Sequence, residues 1–415
     1  MAGAVHGTYG GEREFWPQKS IYNNLLEGST LFGIIKKETD FDDLIRHIVV
    51  GYGSPQGLAP TYATAKANKS PSRTETFQVQ KRSYHGAFSI DGLLWRHGEH
   101  GNKGLVIDAL TRETENIMRE AKNNLGLYLH GDGGGSIGQL TSGSDVTTSS
   151  ITLTNGSDVR NFSRGMILQM SATSSGGSVL AGTVEVLSVG DEDTPTVTFT
   201  GNVDDGIPSA AVSYYLFREG TYDLAPLIGL EGWNPNHAGS PSAFLNATRT
   251  NAPRQLAGLE LSATTMGPFQ RIFRASRMSA DMGYKPDTYV MSTRNWEDLA
   301  NEQLAANRLV MDKTPAAPIG KLQIGVQYDC IRVMGARGPV KVYADPWMPD
   351  NVERCGELET LRIASLGPIL HWDKGASPDR PMLEDGADSR EVRLVGDMAF
   401  YNKAPGAWVR VAVTA

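Results

Sequence analysis

The chain has 415 residues and carries 39 Lys and Arg against 46 Asp and Glu, a formal net charge of -7. Ordinary hydrophobic content, 40%, argues against a disordered segment, and the acidic balance against a protein whose main work is neutralising phosphates. Average Gly and Pro usage excludes a collagen-like chain, and the length predicts roughly two or three domains.

Residues 1–72 are broken by Gly10-Gly11, Pro17, Gly51, Gly53, Pro55 and Pro60 around short apolar clusters, which reads as an extended arm. The start shows no basic-then-apolar export pattern, and no stretch nears the roughly 18 apolar residues of a membrane span, so neither export nor insertion is expected. From Thr74 to Asp91, Phe77 and Val79 and then Tyr84, Phe88 and Ile90 alternate with polar residues on either side of Lys81-Arg82-Ser83. That pattern predicts a long two-stranded hairpin with a charged tip, an extended loop over 73–102.

Leu105 to Leu129 carries the strongest helical period: Val106, Leu110, Ile117, Ala121, Leu125 and Tyr128 on one face, with Arg112, Glu115, Arg119 and Lys122 opposite. A helix within 103–138 would stop at the glycine run 131–135, read as a flexible hinge. Composition then shifts to Ser, Thr, Gly and Val, with apolar alternations at 151–153, 166–168, 184–186, 197–199 and 214–216, predicting a small inserted β-barrel over 139–220. Residues 221–415 mix signals: helices near 269–278 and 296–304, and strands at 288–291, 323–326, 331–333, 340–343, 360–363, 392–395 and 408–413. The expectation is an α+β chain whose last strands return to an earlier sheet.

No catalytic constellation is visible. The glycine run formally fits GxGxxG and GxSxG, but both motifs need a preceding strand, and here a helix precedes. Gly320-Lys321 is followed by Leu322, so there is no Walker-type cradle. His97 and His100 sit in a Gly-rich connection without metal-site spacing, and the only cysteines, Cys330 and Cys355, form no CxxC. Neither metal nor cofactor is expected. The unusual features are architectural: an arm, a protruding ribbon and a long helix. A two-stranded hairpin is marginal alone in water and gains stability by lying on something else.

In that order the segments resemble the major capsid proteins of tailed bacteriophages, with their Hong Kong 97-type fold. Thr74 to Asp91 is similar to the extended loop, RETENIMREAKNNLGLYLHGDGGG within 112–135 to the spine helix, YVMSTRNWEDL (289–299) to the axial domain, and VRLVGDMAFYNKAPGAWVRV (392–411) to the closing strands. The resemblance implies hexamers and pentamers of many copies forming an icosahedral virion shell. Such a shell is built in the bacterial cytoplasm and encloses double-stranded DNA without sequence-specific binding. It also implies a separate scaffolding protein, a portal and a decoration protein. Phe77, Val79, Lys81, Arg82, Tyr84, Phe88, Arg96, Arg112 and Arg119 are the candidate inter-subunit contacts. Lys81 is also the candidate for the lysine-to-asparagine cross-link that some members make, although a lysine of ordinary pKa is protonated and a poor nucleophile. Two alternatives remain: an encapsulin-like compartment of the same fold, and a carbohydrate-active enzyme with a β-rich module.

Overall fold

The computed structural model describes residues 29–41, 43–92, 103–143, 145–208, 210–237, 243–305, 331–377, 381–384 and 388–413, with backbone alone at 103–112 and 303–305. The architecture is α+β, with several separate sheets and, among the described residues, three hydrophobic cores.

A five-residue helix, Thr30–Ile34, is capped by the Ser29 hydroxyl, which accepts from the Phe32 N–H. The strands Lys36–Glu38 (β1), Ile45–Gly53 (β2), Arg73–Gln80 (β3) and Arg82–Asp91 (β4) follow. Here the structure corrects the sequence reading, because β3 and β4 do not pair with each other. β3 runs antiparallel to β2, Ile45 opposite Gln80 through Gly53 opposite Arg73. β4 instead enters a different sheet, matched residue for residue from Asp91–Ser389 to Arg82–Met398. A ten-residue ladder on a strand that is itself covered offers β4 more than a marginal self-hairpin would. Lys81 is therefore the passing point between two sheets rather than a tip, and part of the irregular arm is a strand.

The long helix is present as Lys103–His130, 28 residues, about 42 Å at 1.5 Å per residue. Its described inner face buries Thr114, Met118, Ala121, Leu125, Tyr128 and Leu129. Gly126 lies on that face because the Trp347 indole fills the space where a Cβ would stand, 2.5 Å from Trp347 Cδ1.

Beyond it come Gly138–Gln139 (β5), Ser150–Thr152 (β6), Ile167–Ser171 (β7), Val184–Val189 (β8), Thr196–Phe199 (β9) and Tyr215–Arg218 (β10), in spatial order β5-β10-β7-β8-β9-β6. The two ends of this strip meet: the Thr141 N–H donates to Thr152 O at 3.0 Å and the Thr154 N–H to Gln139 O at 2.8 Å. Leu168, Met170, Val186, Val197, Phe199 and Leu216 fill its own core. Gly133, Gly134 and Gly135, leading into it, are buried rather than hinge-like. A Cβ on Gly134 would stand 1.7 Å from Ser174 O, and Gly133 and Gly135 hold φ of +95° and +87°. Gly134→Ala should therefore cost about 1–3 kcal/mol through forced repacking, whereas Gly143→Ala, with nothing within 4 Å, should leave the thermal transition unmoved.

The remaining chain supplies Ala243–Phe244 (β11), Ala247–Thr248 (β12), Leu259–Ser262 (β13), Thr288–Met291 (β14), Ile331–Gly335 (β15), Gly338–Ala344 (β16), Val352–Gly356 (β17), Leu361–Ser365 (β18), His371–Trp372 (β19), Met382–Leu383 (β20), Ser389–Asn402 (β21) and Val409–Ala412 (β22). One mixed sheet runs β13-β22-β17-β14-β16-β15 beneath the helices Pro268–Asp281 and Thr293–Ala305. A second runs β1-β18-β21-β19, with β4 and β20 also on β21. The closing strands thus return to an earlier part of the chain, as expected. The strand expected at 323–326 lies outside the described residues.

Under Pro268–Asp281, Glu353 is fully buried, accepts from the Tyr289 hydroxyl and sits 3.0 Å from Arg271 Nη2. Burial pushes its carboxyl up to about 7 despite Arg271 and Tyr289. A folded pKa above the unfolded value means stability that is full below about 4.5 and declines as pH rises through about 7. Glu353→Gln should flatten that decline in denaturant midpoints measured from pH 4.5 to 8.

Candidate assembly surface

The β2–β3 ribbon is anchored only at its root. Ile48, Val50, Phe77 and Val79 point inward and are buried, while His47, Val49 and Gly51 on alternate positions are exposed. Phe77 packs on Trp233 with ring centroids 5.2 Å apart, and Phe244 closes the triad at 6.3 Å and 5.4 Å. A main-chain stitch from the Gln78 N–H to Leu245 O, 2.8 Å, fixes the ribbon to the β11–β12 turn. Arg249, also buried, lies 3.7 Å over the Phe244 ring and donates to Gly232 O and Trp233 O. Burial lowers its guanidinium to about 9.

Past this root nothing in the described chain covers the ribbon. From Gly51 to Thr74 no residue is buried. The tip, residues 54–72, folds around the short helix Tyr62–Ala67, which is capped by the Thr61 hydroxyl but buries no residue. Leu58 is 99% and Tyr62 85% exposed, and Leu44 and Val49 stand out nearer the root. From Leu44 to Thr74 there is no Asp or Glu, while Arg46, Lys66, Lys69 and Arg73 are basic. In an acidic chain that run was the signal available for this surface, and sequence reasoning passed over it.

The candidate contact residues fall in different places. Phe77 and Val79 belong to the chain's own core. Lys81 Nζ donates to Phe41 O at 2.9 Å and lies 5.2 Å from the Phe41 ring centroid. Arg82 donates from Nη1 to Gly133 O and Ala225 O, both 2.9 Å, tying β4 to the glycine run. The Tyr84 hydroxyl accepts from Asn124 on the long helix at 2.9 Å, and Phe88 is half-buried on β4. Arg119 is exposed and donates to Asn116 at 3.2 Å. Arg96, with His97 and His100, and the side chain of Arg112 lie outside the described residues.

A second junction holds the start of the described chain. Asp345, fully buried at the end of β16, accepts from the Ser29 hydroxyl at 2.7 Å, from the Leu31 N–H at 2.9 Å and from the Trp347 N–H at 2.9 Å. His130, at the end of the long helix, places Nε2 3.5 Å from its Oδ2. Burial alone would raise this carboxyl, but His130 and the Leu31 and Ser29 donors hold it down to about 2. Beside it, β1 contributes Glu38, which accepts from Arg46 and Tyr401 at 2.6 Å each and faces Arg362 at 3.2 Å and Lys403 at 3.6 Å. These contacts position the ribbon root; they assemble no nucleophile with a base.

No family model matches the chain, and no curated protein does. Among solved structures it is similar to the Cyanophage A-1(L) capsid asymmetric unit, at 10% identity over 92% of each chain and a TM-score of 0.48. It is also similar to a Mycobacterium phage Ogopogo structure, at 10% identity over 93% of this chain and 92% of the other, TM-score 0.42. A third is the capsid of Myoviridae phage XM1, at 9% identity over 92% and 91%, TM-score 0.40.

Proposed function

We propose that this chain is a shell-forming subunit, the major capsid protein of a tailed bacteriophage, which assembles in many copies around packaged double-stranded DNA. The observation that carries the reading is the uncovered ribbon. A nine-residue strand pair reaches about 30 Å, is buried only at its root and exposes Leu58 and Tyr62 at its end. Isolated two-stranded ribbons are marginal in water, so this one is completed by another molecule, and identical copies arranged around symmetry axes supply that cover repeatedly. In this reading β2–β3 with its tip, residues 45–80, is the extended loop, Lys103–His130 the spine helix, the six-stranded unit the inserted barrel, and the β13–β22 sheet with its two helices the axial domain. A separate scaffold, a portal and a decoration protein complete the assembly, and no chemistry is required of the subunit.

Expression of the chain alone and with its neighbouring gene products, followed by sedimentation and negative-stain microscopy, tests the reading. Closed particles of uniform size are expected; a stable monomer under every condition contradicts it. Nucleic acid recovered from such particles separates a capsid from an enzyme-enclosing compartment.

A further inference from the structure

Asp345 has more claimants than its two oxygens serve. Oδ1 takes the Trp347 N–H at 2.9 Å, while the Ser29 hydroxyl at 2.7 Å and the Leu31 N–H at 2.9 Å both end on Oδ2. An ionised carboxylate oxygen offers about two lone-pair directions, so Oδ2 is full. His130 is the group left out. Its side chain is 2% exposed and its Nε2 stands 3.5 Å from the same Oδ2, yet neither ring nitrogen has a hydrogen-bond partner among the described residues. Buried polar groups are paired in the great majority of cases, and leaving one unpaired is costly. An imidazole kept waiting beside an occupied carboxylate oxygen is therefore a standing drive toward a second arrangement.

The two rivals for Oδ2 lead to different parts of the fold. Ser29 and Leu31 open the short helix Thr30–Ile34, which also hangs on Ala344 O through the Thr30 hydroxyl at 2.8 Å. His130 ends the long helix and passes directly into the glycine run 131–135 and the six-stranded unit. That unit rests on the body close by: Arg160 directs Nη2 to Met348 O at 3.3 Å and lies 5.7 Å from the Trp347 ring centroid. Trp347 is in turn fixed by its own N–H on Asp345. A cleft of about 270 Å³, lined by His130, Asn155, Trp347 and Met348 among others, lies between the unit and the body and leaves the seat room to shift. We propose that Asp345 is a partner-exchange switch: when residues 29–31 leave Oδ2, His130 closes on it, draws the end of the long helix toward β16 and unseats Arg160. The six-stranded unit thus has two seats, set from the opposite side of the junction. The trigger is any contact that binds residues 29–31 in competition with the carboxylate, because a switch moves only through differential affinity for its two states. The inference concerns the subunit itself and stands apart from the shell reading.

The test uses the full chain with Ser29→Ala, which removes one claimant of Oδ2. In a sample with nitrogen-labelled histidine, the His130 Nε2 proton should move downfield relative to the unaltered chain as it closes on the carboxylate, and a ring proton that stays where it was overturns the exchange. Hydrogen exchange read by mass spectrometry carries the second half. Uptake should rise about fivefold in residues 155–162, at the Arg160 seat, and not only in residues 29–34. Ser29→Thr keeps the hydroxyl and should change neither reading. Adding His130→Phe to Ser29→Ala should return the uptake at 155–162 to the unaltered level, whereas His130→Gln, whose amide also donates, should preserve the rise. A rise confined to 29–34, or one that persists with His130→Phe, would show simple loosening of the chain start and overturn the coupling.

Discussion

Replacing residues 54–72 by an Asn-Gly turn should leave the subunit folded and abolish the shell. The register closes for such a turn, because Gly53 stands opposite Arg73 at the end of the ladder and Asn-Gly is the favoured two-residue connection between antiparallel strands. None of the removed residues is buried, so the unfolding transition of the monomer should shift little. Assembly is a different matter, since each copy would lose its most exposed apolar surface and two lysines at one stroke. A loss of about 3 kcal/mol per contact is already more than a hundredfold in each association constant, and a closed shell multiplies contacts. Circular dichroism with sedimentation velocity reads both halves. Normal shells from the shortened chain would show that the ribbon tip is dispensable.

Asp345→Ala should have the largest effect on the folded subunit itself, about 3–5 kcal/mol, because it strands several buried partners together. The Ser29 hydroxyl and the N–H groups of Leu31 and Trp347 lose their acceptor, and the buried His130 imidazole loses the carboxylate 3.5 Å from its Nε2. Asp345→Asn keeps the shape and one acceptor oxygen and should cost less. The sign of the pH dependence follows from a folded pKa held down to about 2. The contribution is full above the ordinary aspartate range near 4 and is lost as pH falls through about 2, a slope that Asp345→Ala should remove. Denaturant unfolding followed by tryptophan fluorescence, from pH 2 to 7, measures it.

The long helix and the six-stranded unit were legible in the sequence because each carries its own period: three- and four-residue steps through Ile117, Ala121, Leu125 and Tyr128, and short alternations between turn-formers from Ile151 to Leu216. Local pattern suffices when an element's partner is near in the chain. Strand pairing is a non-local choice, and there the reading failed. β3 and β4 are adjacent and both alternate, yet β3 pairs with residues 45–53 and β4 with residues 389–398. The alternation of Ile48 and Val50 against His47 and Val49 was present in the sequence, hidden by Gly51 and Gly53. The glycines at 133–135 misled for a related reason: what makes them necessary is the backbone of Ser174 and Thr221, distant in sequence. Charge was the neglected signal, because an acid-free run from Leu44 to Thr74 in a net-acidic chain marks the tip by composition alone.

Cryo-electron microscopy of particles purified after co-expression bears most directly on the whole account. The map should show closed icosahedral shells in which residues 45–80 of every copy leave their own subunit past Val50 and Phe77 and lie against the next one. Particles whose ribbon folds back on its own subunit, or a preparation that stays monomeric, would contradict it.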